Sequence, residues 1–524
     1  MPNSATVLSN PPTLRDAFRT EMGNLSRQSA VYFAGTVFTL VAGFFFKIYT
    51  ARTLGAEGLG QYALGASVVA FFTLFANWGI PRAMVRFIPA YRAQNDVARI
   101  RGLIWRGGVI VTLVSSTLGI LLFLAREEIA TRLFGEPALA PLLALFAGIL
   151  PLGTLGHLLD QIVVGFQQTA RSKSINSFFT YPLLIALTIL FLHLGWGVHG
   201  YILATLASSA AGIIVLGRVV WQLMPATTPE PTASPSLEPA VWRYAFSMAF
   251  LGIWAFLAGE ADKLILGIYL PSASVGVYSV ALTIAAFIPM LLTSVNSIFA
   301  PTIANLYAKS QHVLLEQLLQ TLTKWIFGLT VPLIAIVLLF APELMGIFGK
   351  DFQAGGYVLA VVALGQVANV GTGSVGMMLL MTGHQRQLIQ TQITSAVAML
   401  AFYVLLIPGW GILGAALAQA IGLVIANGLN LWHVHRRLGM LPYPRSLLKL
   451  LGPLGVTGIS LLGFKLWTMP GLTDLARLGM SLVLAYSIFG VLALWTGLDE
   501  NDRVVLQATL ERLPLRQTSS IRRP

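Results

Sequence analysis

Apolar segments about 20 residues long, the length that carries a helix across a bilayer, follow one another along the chain with short polar breaks between them. They fall near 30–51, 59–80, 103–125, 138–164, 174–194, 198–220, 241–269, 275–298, 322–341, 355–381, 387–408, 411–432, 447–468 and 474–496. Hydrocarbon gives backbone N–H and C=O groups no outside partner, so only helices or a closed barrel can cross it, and these runs are too long for barrel strands. The pattern predicts an all-α polytopic membrane protein with fourteen transmembrane helices.

The segments are related to one another. Residues 43–91 return, diverged, as 259–307: Gly43 falls on Gly259, Lys47 on Lys263, Leu54 on Leu270, Gly60 on Gly276, Tyr62 on Tyr278 and Tyr91 on Tyr307, all 216 positions apart. Gly153, Thr154 and Gly165 match Gly371, Thr372 and Gly383 at 218, and Gly195-Trp196-Gly197 matches Gly409-Trp410-Gly411 at 214. An offset that drifts so little over that distance is the mark of duplication with small loop changes. Six spans make each copy, and an even number returns the chain to its starting side, so the copies form a parallel repeat. The last two spans have no counterpart.

This organisation predicts an N-terminal segment (1–28), a first lobe (29–222), a Pro-rich linker (223–240), a second lobe (241–440), two extra helices (441–497) and a tail (498–524). Leu14, Phe18, Met22 and Leu25 recur at helical spacing among Arg15, Arg19 and Arg27, which reads as a helix in the headgroup layer; a disordered tail is the other reading. The end segment, with Leu506, Leu510 and Leu513, has the same two readings. No basic stretch followed directly by an apolar core and a cleavage site opens the chain, so no secretory signal is expected.

Composition agrees: 56% of residues are hydrophobic and only 10% charged, too much apolar surface for a water-soluble fold to hide. The net charge of +13 would suggest nucleic acid, but its location matters more than its sum. With the N-terminus placed in the cytoplasm, 25 of the 33 Lys and Arg fall on the inner side of the fourteen spans, as the positive-inside rule requires. The basicity is therefore topology, both termini are expected in the cytoplasm, and no nucleic-acid partner is expected. Without cysteine there are no disulfides, thiolate nucleophiles or cysteine metal sites. No catalytic residue, metal or cofactor is expected.

A six-plus-six core of this kind is usually a transporter with substrate bound between its halves. A charge inside an apolar run is costly unless it serves something, so Lys47 and Lys263, late in the first and seventh spans, are the first candidates. Arg52 lies beyond Lys47, and Glu260 and Asp262 lie beside Lys263. One reading makes the lysines a cationic pair, one from each half, facing a central cavity with the acids as counter-charges or proton carriers; the other has each lysine snorkel to the outer interface. Arg82 and Arg86 at the inner end of the second span are either gate contacts for phosphate or anchors to anionic lipid. His157 and Asp160 are three apart, share a helix face and suit a proton relay, although the repeat puts Val375 and Met378 in their places. Asn77, Asn296, Gln366 and Asn369 are amides at membrane depth, suited to sugar hydroxyls or, more simply, to interhelical hydrogen bonds.

The turn Leu54-Gly55-Ala56-Glu57-Gly58-Leu59-Gly60-Gln61-Tyr62, the run from Gly79-Ile80-Pro81-Arg82 to Tyr91, and Ala261-Asp262-Lys263-Leu264 leading to Val275-Gly276-Val277-Tyr278-Ser279 resemble the polysaccharide exporter branch of the multidrug/oligosaccharidyl-lipid/polysaccharide flippase superfamily. The resemblance covers nearly the whole chain, and the two extra helices fit it. It implies a flippase, not an enzyme, that moves polyprenyl-pyrophosphate-linked oligosaccharide across the cytoplasmic (inner) membrane for surface polysaccharide assembly. Its partners would be the lipid-linked oligosaccharide, membrane lipids and polysaccharide assembly enzymes. Family members use cations in the first helices of each lobe; here Lys47, Arg52 and Lys263 fall where that pattern would put them. The Arg-Asp pair that related peptidoglycan-precursor flippases carry early in the first helix is absent.

A pyrophosphate carries about two negative charges and cannot enter hydrocarbon unpaired. A few cations between two lobes suit it, while the prenyl tail stays in lipid. Two other readings stand beside this one: a cation-coupled multidrug exporter, which should have a more acidic cavity, and a membrane polymerase or glycosyltransferase, which should have a sizeable extramembrane loop carrying paired carboxylates or a metal. No outward connection here exceeds about 15 residues, the scale of a simple link.

Overall fold

The computed structural model describes residues 14–225, 238–467, 473–496 and Asp502; from 14 to 27 only the backbone is described. Most of the predicted linker and tail, including Leu506, Leu510 and Leu513, lie outside the described residues. Among the described residues every regular element is helical. In chain order the α-helices are α1 (Leu14–Asn77), α2 (Ile80–Ala93), α3 (Val97–Glu128), α4 (Leu139–Gly165), α5 (Thr169–Ile175), α6 (Tyr181–His193), α7 (Gly197–Leu223), α8 (Pro239–Gly259) and α9 (Ala261–Tyr269). They continue as α10 (Ser272–Ala285), α11 (Met290–Ala308), α12 (His312–Leu339), α13 (Ala341–Gly346), α14 (Gly356–Thr372), α15 (Val375–Met381), α16 (Gln385–Leu438), α17 (Leu451–Leu466) and α18 (Asp474–Thr496).

Eleven helices among the described residues are long and apolar enough to cross a membrane, and α10 with α11, bent by 49° at their break, make a twelfth if taken as one span. The expected count of fourteen is therefore not reached by length and composition alone. Two of the eleven explain the difference. Gln28–Asn77 and Gln385–Leu438 run for 50 and 54 residues, roughly 75–80 Å of helix against a hydrocarbon core of about 30 Å. Each is two helices joined at a glycine whose backbone is not helical: Gly55 (φ 69°, ψ −176°) and Gly411 (φ 57°, ψ −134°). These are conformations that a side chain with a Cβ rarely adopts. Sequence reading divided both stretches near these points, at 51–59 and 408–411. It missed the break in 241–269, where α8 stops at Gly259 and α9 restarts at Ala261 around a non-helical Glu260.

The chain forms two compact units. The first comprises residues 1–47, 68–132 and 136–253, and the second 48–67, 133–135 and 254–524. In the first unit, Ile80, Met84 and Ile88 of α2 are fully buried against Val111 of α3, Leu158 and Ile162 of α4 and Leu216 of α7. The start of α8 joins them: Glu238 accepts a hydrogen bond from the Tyr91 hydroxyl at 2.9 Å and pairs with Arg99 at 3.0 Å, while the Arg86 guanidinium lies 4.5 Å over the Tyr244 ring. Burial and the Glu238 carboxylate push the Tyr91 phenol up to about 12.

In the second unit, Phe299, Ile303, Leu315, Val375, Met378 and Val434 join α11, α12, α15 and α16, and a separate cluster of Ile336, Phe340, Leu461 and Ala485 holds α17 and α18 on α12. Asp502 is buried against the middle of α12, accepting hydrogen bonds from Lys324 and, at 2.9 Å, from the Trp325 indole. Large apolar side chains such as Trp105, Ile298 and Trp495 are three-quarters or more exposed, a surface that only a hydrocarbon solvent makes stable.

Candidate functional site

The break between α8 and α9 places Glu260, Asp262 and Lys263 together inside an apolar stretch of the second unit, and the two carboxylates have different surroundings. Glu260 Oε2 accepts from Lys263 Nζ at 2.7 Å and from the Ser67 hydroxyl at 3.1 Å. The lysine side chain is 17% exposed and its partner 39%, so the pair reaches outward from a mostly buried cation. Asp262 is turned inward and only 3% exposed. Its carboxylate accepts from the Lys263 backbone amide at 2.8 Å and from the Tyr278 hydroxyl at 3.0 Å. That hydroxyl also lies 3.4 Å from Gln419 Oε1 and is hydrogen-bonded to Tyr403. Chemically, Glu260 and Lys263 form an exchangeable ion pair, since an incoming anion can compete with the glutamate for the ammonium. Asp262 is a carboxylate held by neutral donors.

The first-half candidates are more dispersed. Lys47 is half-buried on α1, next to Phe46, whose ring sits edge-on to Tyr181 and Tyr201 at 6.2 and 5.7 Å. Lys47 belongs to the first unit and Lys263 to the second. Arg52 is exposed and donates from Nε to the Ile347 carbonyl at 2.8 Å, which fixes it against the α13 end. Arg82 and Arg86 are both exposed on α2, the latter on its aromatic platform. The amide oxygens of Asn77 and Asn296 are buried without a hydrogen-bond partner, which is costly unless something else supplies a donor. Gln366 and Asn369 bond to each other at 3.0 Å within α14.

His157 and Asp160 line one polar cavity of about 250 Å3 in the first unit, with Asn176, Thr180 and Ser209. The Asp160 carboxylate accepts from Ser172, from Asn176 at 2.7 Å and from Gln161 at 3.1 Å. His157 shares the cavity wall and is exposed to it. Sequence reasoning missed Ser67 beside Glu260, Tyr278, Tyr403 and Gln419 around Asp262, and Ser172 and Asn176 around Asp160. Tyr278 alone had a signal, as the repeat partner of Tyr62.

Two repeat-related glycines meet within the second unit. A Cβ on Gly60 would lie 1.7 Å from the Ser272 carbonyl oxygen, and one on Gly276 would lie 2.0 Å from the Ala56 carbonyl oxygen. Ser272 stands 216 residues after Ala56, as Gly276 does after Gly60. Each copy therefore makes the same backbone contact on the other, the reciprocity that a two-fold axis imposes.

The fold is that of a polytopic membrane transporter. It matches a lipid II flippase, solved in an inward closed conformation, with a TM-score of 0.70 at 14% identity over 92% of this chain and 100% of that one. It also matches an inward-facing multidrug resistance MATE family transporter of the MOP superfamily with a TM-score of 0.62 at 16% identity, over 77% and 94% of the two chains. Among sequences, the chain is 22% identical over 415 residues to the probable low-salt glycan biosynthesis flippase Agl15 of Haloferax volcanii, covering 78% of this chain and 83% of the relative. A similar match, 22% over 412 residues, joins it to a membrane protein of Methanocaldococcus jannaschii, covering 74% and 81%. The family model described as polysaccharide biosynthesis protein matches residues 25–307, and that of MatE matches 248–409. The chain belongs to the polysaccharide biosynthesis protein family, within the flippase superfamily that the sequence resembles.

Proposed function

We propose that the protein flips a polyprenyl-(pyro)phosphate-linked oligosaccharide across the cytoplasmic membrane by alternating access, with fourteen crossings and both termini in the cytoplasm. The observation that carries this reading is the Lys263–Glu260 pair at the α8–α9 break. A mostly buried ammonium with a more exposed, displaceable counter-ion is what a transient phosphate site needs, because permanent neutralisation would prevent release. Lys47 is its repeat counterpart in the first lobe, and Asn77 and Asn296 offer unpaired amides to glycan hydroxyls. Asp262 takes up a coupling proton when Tyr278 moves. The Gly60–Gly276 crossing acts as the outer gate, since the repeats can separate there without withdrawing side chains. The Agl15 relative, named as a glycan biosynthesis flippase, supports this substrate class.

The MatE match over 248–409 favours the cation-coupled multidrug exporter as a second reading. Deleting the gene and extracting lipids from the two leaflets separates the two. Lipid-linked oligosaccharide should build up on the cytoplasmic side, and the Lys47→Ala/Lys263→Ala protein should fail to relieve it. Unchanged carrier lipid together with lost efflux of organic cations would replace the flippase with the exporter.

A further inference from the structure

The cavity around Asp160 has features that the lipid-substrate reading does not use. Its wall includes a π-helical turn, Asn176–Thr180, inserted between α5 and α6. Such turns interrupt the normal ladder and are frequent at functional sites. This one presents Asn176 and Thr180 to the same space as Asp160. The Thr180 hydroxyl oxygen is buried without a hydrogen-bond partner. Gly212 of α7 packs directly on it, where a Cβ would come within 2.9 Å.

Asp160 is held by three neutral donors, from Ser172, Asn176 and Gln161, and among the described residues it has no ion pair. A carboxylate in a membrane helix without a paired cation is costly and is kept where it serves an ion or proton path. The oxygen-bearing side chains near it can reverse roles: the Ser172 hydroxyl that donates to Asp160 and the unpartnered Thr180 hydroxyl accept as readily as they donate, and Asn176 offers its carbonyl oxygen when its amide turns. Hard cations select oxygen ligands, and one carboxylate among neutral oxygens matches one positive charge.

We propose that Asp160, Ser172, Asn176 and Thr180 form a binding site for a small monovalent cation, with sodium as the best match in size and ligand type. The site lies wholly within the first unit, apart from Asp262 and Lys263, and the inference does not depend on what the protein carries.

The test is equilibrium binding of radioactive sodium to the full-length protein in lipid nanodiscs at neutral pH, with no lipid-linked substrate present. Native protein should bind sodium saturably, displaced by unlabelled sodium and not by choline. Asp160→Asn should abolish this binding, and Asp351→Asn, at an exposed carboxylate of the second unit, should leave it in place. Thr180→Val, which keeps the shape and removes only the hydroxyl, should weaken it by roughly tenfold while the thermal melting of the nanodisc sample stays at the native value. Saturable binding that survives both Asp160→Asn and Thr180→Val would overturn the proposal, and so would native protein that binds no sodium. Because the assay contains no glycolipid, failure of the flippase reading would leave this result untouched.

Discussion

Glu260 and Asp262 are two residues apart, yet one faces a lysine and the other a tyrosine pair. On the flippase reading, Lys263→Ala should reduce transport by roughly tenfold or more, since it removes one partner of a partly desolvated charge pair. Lys263→Arg should retain part of the activity, measured as leaflet exchange of a lipid-linked oligosaccharide in proteoliposomes. Equal activity in all three proteins would remove Lys263 from the path. Outside the membrane, Tyr91 sets a pH limit on the contact between α2 and the start of α8. Its phenol is raised to about 12, so its stabilisation is fully present below the ordinary tyrosine range near 10 and is lost as pH rises from there toward 12. Tyr91→Phe should cost about 1 kcal/mol at neutral pH and should flatten the fall in thermal stability across that alkaline interval. A melting curve that falls equally in both proteins would show that the Tyr91–Glu238 bond contributes nothing.

At the scale of elements, glycine decides where helices bend and where they touch. Gly411 joins the two parts of α16 at φ 57°, ψ −134°, so Gly411→Ala should lower stability by about 1–3 kcal/mol, read from thermal melting in detergent. The Gly60–Gly276 crossing leaves no room for a side chain, and on the flippase reading, in which this crossing is the outer gate, Gly60→Val should force it apart. The absence of native cysteine makes this measurable. A cysteine at buried Ser67, further along the same helix, should react several-fold faster with an impermeant maleimide added outside when Gly60 is valine. An unchanged labelling rate would show that the crossing is not a gate.

For the molecule as a whole, fourteen crossings require the two long helices, kinked at Gly55 and Gly411, each to cross twice, and require the bent pair α10–α11 to cross once. Single cysteines give the check. Asn95→Cys should be labelled only from the cytoplasmic side, and Ser274→Cys only from outside. Labelling of both from one side would break the proposed topology. A positive φ recurs at Asn95 and Ser310, 215 residues apart, although the residue types differ. Conformation thus kept the repeat at positions where side chains had drifted.

Sequence alone determined the solvent, the helical class and the family resemblance, because a bilayer admits few ways to satisfy the backbone and these leave a long apolar signature. It also marked Gly60, Gly276, Lys263 and Tyr278 as repeat positions, although a repeat says that residues correspond and not that they touch. Only the tertiary structure decided that Gly60 and Gly276 meet, that Glu260 interrupts a helix, and that Asp262 turns inward to Tyr278 while Glu260 turns to Lys263. It likewise gathered Asp160, Asn176 and Thr180 around one cavity and set the Ser172 hydroxyl against Asp160. Those outcomes depend on crossings between elements far apart in the chain, where a turn of a few degrees about a helix axis exchanges a buried partner for an exposed one, and no local pattern of residues records that choice.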